Sequence, residues 1–287
     1  MSTRTARENE AFDPYVREIE RWRAQRVEQL TAPDGWLTLI GLEWLQTGPN
    51  HVGTVAENDI VLSTGPAYLG VITLAADGRA HLQLAPGVNA RIGGTEQTEA
   101  ELLDDAQAGS RPTIVQFGTA SFSLIDRDGR KGVRIKDSDA ATRTHFRGLD
   151  YYPIDQSWRI DAAWVPSDTP RMLPIASTLG SVQERPIRGK AVFTRGGRRY
   201  ELSAVGEQAD AISFVLADAT SGRETYGGAR FLVPDMTREG QMVLDFNKAT
   251  NPPCAFTAYA TCPLAPAENR LDVPITAGEK MYRGAAH

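Results

Sequence analysis

Leu69-Gly70-Val71-Ile72-Thr73-Leu74-Ala75-Ala76-Asp77-Gly78-Arg79-Ala80-His81-Leu82-Gln83-Leu84 is the stretch that decides the fold class. Two runs rich in Val, Ile, Leu and Thr flank Asp77-Gly78. A two-residue hairpin turn needs positive φ, and Asp-Gly supplies it at little steric cost. The same grammar extends outward in both directions. Asp59-Ile60-Val61-Leu62 reads as a short strand before it, and Thr113–Phe117 and Ser121–Ile125 as strands after it. Asp128-Gly129 then turns into Val133-Arg134-Ile135. Further on, Trp158, Ile160, Ala162 and Trp164 alternate with Arg159, Asp161 and Ala163, the pattern of a half-buried strand. Ala191–Thr194 and Arg199–Leu202 flank Gly196-Gly197 as another hairpin, followed by strands at Ile212–Leu216, Arg230–Val233 and Met242–Phe246. Short strands with Gly and Asp turns, and no βαβ alternation, predict an all-β chain of sandwich or barrel type.

One helix interrupts this pattern at the start. Asp13 suits an N-cap and Pro14 the first helical position. Tyr15, Ile19 and Trp22 recur at helical spacing, and Pro33-Asp34-Gly35 ends the run. The Arg and Glu residues between 17 and 28 read as a solvated face. The polar interval Lys136–Tyr152 breaks the strand pattern and marks a boundary. The expected organisation is a helical segment over 1–35, a sandwich over 36–136 and a β-barrel-like domain over 137–287.

Composition excludes several classes. The 287 residues are 41% hydrophobic and 23% charged, enough to build a packed core. A formal net charge of −5 argues against a nucleic-acid partner, which requires a basic face. No apolar run approaches the ~20 residues of a membrane span, and the charged start, Met1–Pro14, has no signal-peptide h-region. The expectation is a cytoplasmic protein. Two cysteines preclude a disulfide scaffold. Their spacing, Cys254 and Cys262, is wider than a zinc pair requires, and no cofactor or metal signature is present.

Residues 53–125 resemble a forkhead-associated (FHA) β-sandwich. The resemblance rests on Gly53, Asn58-Asp59-Ile60-Val61-Leu62-Ser63, Leu69-Gly70-Val71-Ile72, Gly93-Gly94, Leu102-Leu103-Asp104-Asp105 and Phe117-Gly118 before Ser121-Phe122-Ser123-Leu124. That family's phosphothreonine site requires an Arg after the first glycine and a Ser-x-x-His loop. This chain has Thr54 and Gly65-Pro66-Ala67-Tyr68 instead, so the resemblance implies a scaffold without phosphothreonine binding. The chain as a whole, from about residue 15 to 282, resembles a bacterial family known as domain-of-unknown-function family 1684. The segments that carry this are Leu244-Asp245-Phe246-Asn247, Asn251-Pro252-Pro253-Cys254-Ala255-Phe256-Thr257, Tyr259-Ala260-Thr261-Cys262-Pro263-Leu264, Glu268-Asn269-Arg270-Leu271 and Ala277-Gly278-Glu279-Lys280. The family label implies no activity.

Chemistry is densest between Asp245 and Arg270, an irregular, proline-stiffened segment of the kind that carries function more often than average. Asp245 and Glu268 are the candidate catalytic residues, Asp245 to activate water and Glu268 as acid or base. Asn247, Asn269, Arg230, Tyr226 and Cys254 are the candidate substrate-binding residues. Arg230 would hold an anionic group with its planar fork. Several have a structural alternative: Asx caps for Asp245 and Asn247, an internal ion pair with Asp245 or Glu268 for Arg230, inert burial for Cys254 and Cys262. Whether the chain is an enzyme is open; if so, a metal-independent hydrolase is expected. The leading functional expectation is recognition of a small polar or anionic molecule at the 245–270 loop, with the five polar residues Asp245, Asn247, Arg230, Glu268 and Asn269 converging on it, and hydrolysis as its catalytic extension. The alternative is a non-catalytic protein-interaction module on the FHA-type scaffold.

Overall fold

The computed structural model describes residues 13–107, 109, 111–205, 212–238 and 240–284. The charged start at residues 1–12 and His287 lie outside them. The described residues form two compact units, one within Thr31–Phe146, the other within Met1–Leu30 and Arg147–His287. The helix α1, Pro14–Thr31, thus belongs with the C-terminal half. The Asp13 side chain accepts from the Tyr15 amide at 2.8 Å, as an N-cap does. No helix among the described residues is long and apolar enough to cross a membrane.

Among its described residues the unit Thr31–Phe146 contains ten strands: β1 (Leu39–Trp44), β2 (Gly48–Gly53), β3 (Ile60–Val61), β4 (Gly70–Leu74), β5 (Ala80–Leu84), β6 (Arg91–Ile92), β7 (Glu99–Leu102), β8 (Val115–Phe117), β9 (Ala120–Arg127) and β10 (Arg130–Asp137). They form two five-stranded sheets, β1-β10-β9-β8-β6 and β3-β2-β4-β5-β7. The hairpin pairs β4 with β5 in register, Ile72 opposite Leu82, but its turn runs from Ala75 to Gly78 with positive φ at Gly78 and not at Asp77, in place of the two-residue turn expected. The strands' alternating buried positions, Ile72, Leu74, Ala80, Leu82 and Leu84, share one core with Phe122, Leu124, Val133 and Ile135 of the other sheet. A core shared by two sheet faces is a sandwich. Its buried Lys131 is satisfied by Asp104, with Asp126 at 3.2 Å. A short helix, α2 (Ala141–Thr144), closes the unit.

The second unit contains β11 (Arg159–Ala176), β12 (Val182–Arg195), β13 (Arg198–Val205), β14 (Phe214–Leu216), β15 (Arg230–Leu232), β16 (Asp235–Arg238) and β17 (Gln241–Asp245). Five of them form the sheet β13-β12-β11-β17-β16, while β14 and β15 pair separately. Trp158, Phe193, Leu202, Phe214, Leu244 and Phe246 are among its core. Gly196 and Gly197, both at positive φ, turn β12 into β13 as their sequence predicts. From Arg147 on, the chain is irregular until the sheet begins, and it is irregular again after β17.

The barrel-like expectation for residues 137–287 is corrected: among the described residues the sheets are open. Among the described residues, no further strand continues the edge of β13 at Ser203. There the Asn269 side chain takes the place of a strand, accepting from the Ser203 amide at 2.7 Å and donating to its carbonyl at 2.9 Å. It also donates to the Val215 carbonyl at 2.9 Å, tying β13 to β14. The solvated reading of α1 is also incomplete. Arg17, Glu20 and Arg21 are exposed. Arg26, however, pairs with the buried Glu279 at 2.9 Å, and Arg23 donates to the Tyr152 carbonyl at 3.0 Å. Polar bonds as well as the apolar stripe fasten the helix.

Candidate functional site

Three prolines, 166, 170 and 174, fall within β11, where register with β12 shifts between Pro166 and Arg171. Proline lacks the N–H a ladder requires, so a shift here is its expected consequence. Opposite, the pairing of β12 with β13 shifts between Ile187 and Gly189. A Cβ on Gly189 would lie 2.5 Å from the Trp164 ring and 2.6 Å from the Val165 carbonyl oxygen, so only glycine permits this approach. Beside the two irregularities is a cavity of about 330 Å³ lined by Val165, Pro166, Ser167, Arg171, Ile187, Gly189, Lys190, Glu201, Ser203 and Glu268. Bulges commonly re-aim side chains next to binding sites.

The polar wall of this cavity alternates in charge. Arg171 bonds Glu268 at 2.5 Å, and Lys190 bonds Glu201 at 2.6 Å. The second carboxylate oxygen of Glu201 takes Arg199 at 2.8 Å. Burial pushes the Glu268 carboxyl up, but hydrogen bonds from Arg171 and Ser203 outweigh it and hold the group below the ordinary glutamate value. Lys190, and then Arg199, hold Glu201 low as well. Both carboxylates are therefore ionised at neutral pH. Such a wall suits ion pairing and hydrogen bonding, and it does not suit proton donation by Glu268.

Local structure explains how Glu268 reaches this wall. Pro266 precedes the 3₁₀ turn Ala267–Asn269. Asn269 then clamps the turn to β13 through Ser203, itself a lining residue. The turn's central residue, Glu268, thereby faces Arg171 across the cavity. Asn269 is a positioning residue: it is fully buried and bonds only backbone.

The remaining residues expected at a common site are dispersed. Asp245 and Asn247 are buried at the end of β17. Asp245 Oδ1 accepts from the Asn247 amide at 3.1 Å, capping the turn that follows, and the carboxylate accepts from Tyr15 Oη at 2.9 and 3.0 Å. The Asn247 amide nitrogen donates to Tyr15 Oη and to the Asp155 carbonyl. Burial, then Asp245, hold the Tyr15 phenol well above its usual range, so it remains a donor. Arg230 is fully buried, pairing at 3.0 Å with Asp218 and donating to the carbonyls of Ile275 and Ala277. Its partner is thus neither Asp245 nor Glu268. The five polar residues fall into three networks, Asp245 with Asn247 around Tyr15, Arg230 with Asp218, and Glu268 with Asn269 beside Ser203, and the convergence expected of them is replaced by burial of Asp245, Asn247, Arg230 and Asn269. The reason is physical: a buried polar group takes the nearest backbone or side-chain partner.

Tyr226 and Cys254 lie elsewhere again. Tyr226 is half-buried and hydrogen-bonds the Cys254 thiol; burial, then that thiol, push its phenol up. Lys280 extends over the Tyr152 ring, 4.8 Å from its centroid, while the neighbouring Glu279 pairs with Arg26. Arg171, Lys190, Glu201 and Ser203 line the cavity although the sequence does not single them out. The usable signal was the trio of prolines in a stretch bounded by strands, together with Gly189 in the middle of the following one.

The family described as "Protein of unknown function (DUF1684)" matches residues 144–280. That span includes the whole cavity. Among solved structures, the chain is similar to the solution NMR structure of an uncharacterized protein of Haloarcula marismortui. The two are 27% identical over 48% of this chain and 78% of that one, with a TM-score of 0.40. No curated protein matches.

Proposed function

We propose that this chain recognises a small polar molecule carrying an anionic group, and that it does so at the cavity of Arg171, Lys190, Glu201, Ser203 and Glu268. The observation that carries this reading is a cavity of about 330 Å³ whose wall alternates cation and carboxylate. That volume lies at the small end of ligand pockets, roughly 300–1,000 Å³. Arg171 is 56% exposed and Lys190 39% exposed at their side chains. Such pairs are individually weak, so an incoming anion can exchange with Glu268 or Glu201 at little cost. An ammonium or hydroxyl on the same ligand would then meet the released carboxylate. A zwitterion of amino-acid size fits this pattern best. Glu268 is retained from the 245–270 loop as a binding residue; Asp245, Asn247, Arg230 and Asn269 serve as framework. The test is a thermal-shift titration of the full chain with L-glutamate, succinate and inorganic phosphate. A saturable rise in Tm with L-glutamate, lost in Arg171→Ala and Lys190→Ala, is expected. No rise with any of the three probes would overturn the reading.

A second reading concerns Thr31–Phe146, as a protein-interaction module on an FHA-type scaffold. Its support is the pair of facing five-stranded sheets and the exposure of Val61 and Tyr68, 46% and 61%. The Gly65–Tyr68 loop offers no Arg or His to a phosphate. Phosphothreonine peptides are therefore expected not to bind in a fluorescence-anisotropy titration; micromolar binding lost on dephosphorylation would contradict this.

A further inference from the structure

Two sulfurs meet in the irregular segment after β17, away from the cavity just described. Cys254 sits in a 3₁₀ turn, Pro253–Ala255, that follows Pro252. Cys262 is eight residues on, and its sulfur accepts from the Cys254 amide at 3.2 Å. The two thiols also hydrogen-bond each other, and Tyr226 Oη bonds the Cys254 sulfur. Neither cysteine is in a disulfide, and both are buried. Their backbones are already held: prolines restrict Cys254, and the Cys262 carbonyl accepts from the Thr178 amide at 3.0 Å.

We propose that Cys254 and Cys262 are an oxidative modification site, closing to a reversible intramolecular disulfide on exposure to hydrogen peroxide. The chain has paid the entropy of bringing the sulfurs together when it folds, so closure is a local, effectively unimolecular step. With the Cys262 sulfur 3.2 Å from the Cys254 amide, side-chain rotation is the movement that would bring the sulfurs to a bond of roughly 2.05 Å. Inert buried thiols are surrounded by apolar groups that disfavour the thiolate. Here the Cys262 thiol, against the opposing effect of burial and with help from Tyr226, draws the Cys254 thiol below its usual value. In this proposal Cys254 is the attacking sulfur and Cys262 the resolving one.

The step balances. The Cys254 sulfur attacks one peroxide oxygen; the S–O bond forms and the O–O bond breaks. The departing hydroxide takes the Cys254 proton as water, leaving a sulfenic acid. The Cys262 sulfur then attacks the Cys254 sulfur; the S–S bond forms, the S–O bond breaks, and hydroxide leaves with the Cys262 proton as a second water. Two electrons pass from the sulfurs to the peroxide oxygens.

The experiment treats the folded full chain with hydrogen peroxide, blocks remaining thiols under denaturing conditions and records thiol count and intact mass. The expected result is a fall from two free thiols to none in a monomer lighter by two hydrogen atoms, restored by dithiothreitol. In Cys262→Ser the reaction should stop at a Cys254 sulfenic acid trapped by dimedone. Retention of both thiols in the folded chain, while the urea-unfolded chain reacts, would overturn the proposal. So would a sulfinic acid or an intermolecular dimer as the main product. The wild-type measurement decides the matter even where the serine variant fails to fold.

Discussion

Asp245 shows what a buried carboxylate needs. Its oxygens receive the Tyr15 hydroxyl, the Asn247 amide and the Asn247 side chain, and the residue is 1% exposed. Asp245→Asn would place an NH₂ donor where an acceptor is required. It is expected to lower unfolding stability by about 1–3 kcal/mol, the usual cost of a buried group left unsatisfied. Urea denaturation would measure it. An unchanged midpoint would show that the Tyr15 bond contributes nothing. Arg230 presents the same logic in stronger form, since both it and Asp218 are completely buried and its guanidinium also serves two carbonyls. At Gly278, with φ of 78°, a Cβ would fall 2.5 Å from the Ala249 carbonyl oxygen, so the chain passes the Arg230 network only without a side chain there. These residues carry the densest polar chemistry in the sequence, and the fold spends it on holding irregular backbone in place.

Among elements, the β11–β12–β13 layer and the turn Ala267–Asn269 act together. Strand irregularities at prolines and at Gly189 open the cavity, and Asn269 holds its far wall by bonding both backbone groups of Ser203. Asn269→Ala deletes three hydrogen bonds to backbone. The expected outcome is faster amide exchange across β13 and the turn at Ala267–Asn269, with β4 and β5 in the other unit unchanged. Hydrogen-exchange mass spectrometry would resolve this by peptide. Uniform protection in the variant would mean that the β13 edge is held by something else. The helix α1 is fastened by both kinds of contact, apolar at Ile19 and ionic at Arg26–Glu279.

For the whole molecule, acid stability follows from opposing carboxylates. Burial raises Asp104 and Glu268, but bonds to Lys131 in one case and to Arg171 and Ser203 in the other outweigh it and leave both low. A depressed folded value contributes stability above the unfolded value, about pH 4, and that contribution is lost as pH falls through the folded value. Glu279 has the opposite sign. Burial raises it despite Arg26 and the Asn251 amide, so its contribution is fullest below the unfolded value and is lost as pH rises through the folded one. Glu18 and Glu201 are also held low by lysines, but they are largely exposed and add little. The expected result is a Tm that is flat near neutrality and falls below about pH 4, as followed by circular dichroism. A Tm that climbs on acidification would mean that the Glu279 carboxyl dominates.

Period-two alternation and Asp-Gly and Gly-Gly turns determined the all-β class, the helix cap at Asp13 and the hairpins at residues 77–78 and 196–197. These features depend on φ and on which side of a strand faces the core, both local properties of the chain. Tertiary structure alone decided what the polar residues do. Asp245, Arg230 and Asn269 look alike in sequence whether they face a ligand or a carbonyl, because hydrogen-bonding capacity is the same in both cases. Apart from Asn247, two residues from Asp245, and Asp218, 12 from Arg230, their partners come from 45 to 230 residues away, and only packing brings them within bonding distance. The cavity is a tertiary product as well. It arises where two strand irregularities align, and alignment is a property of register between strands, which no single strand carries.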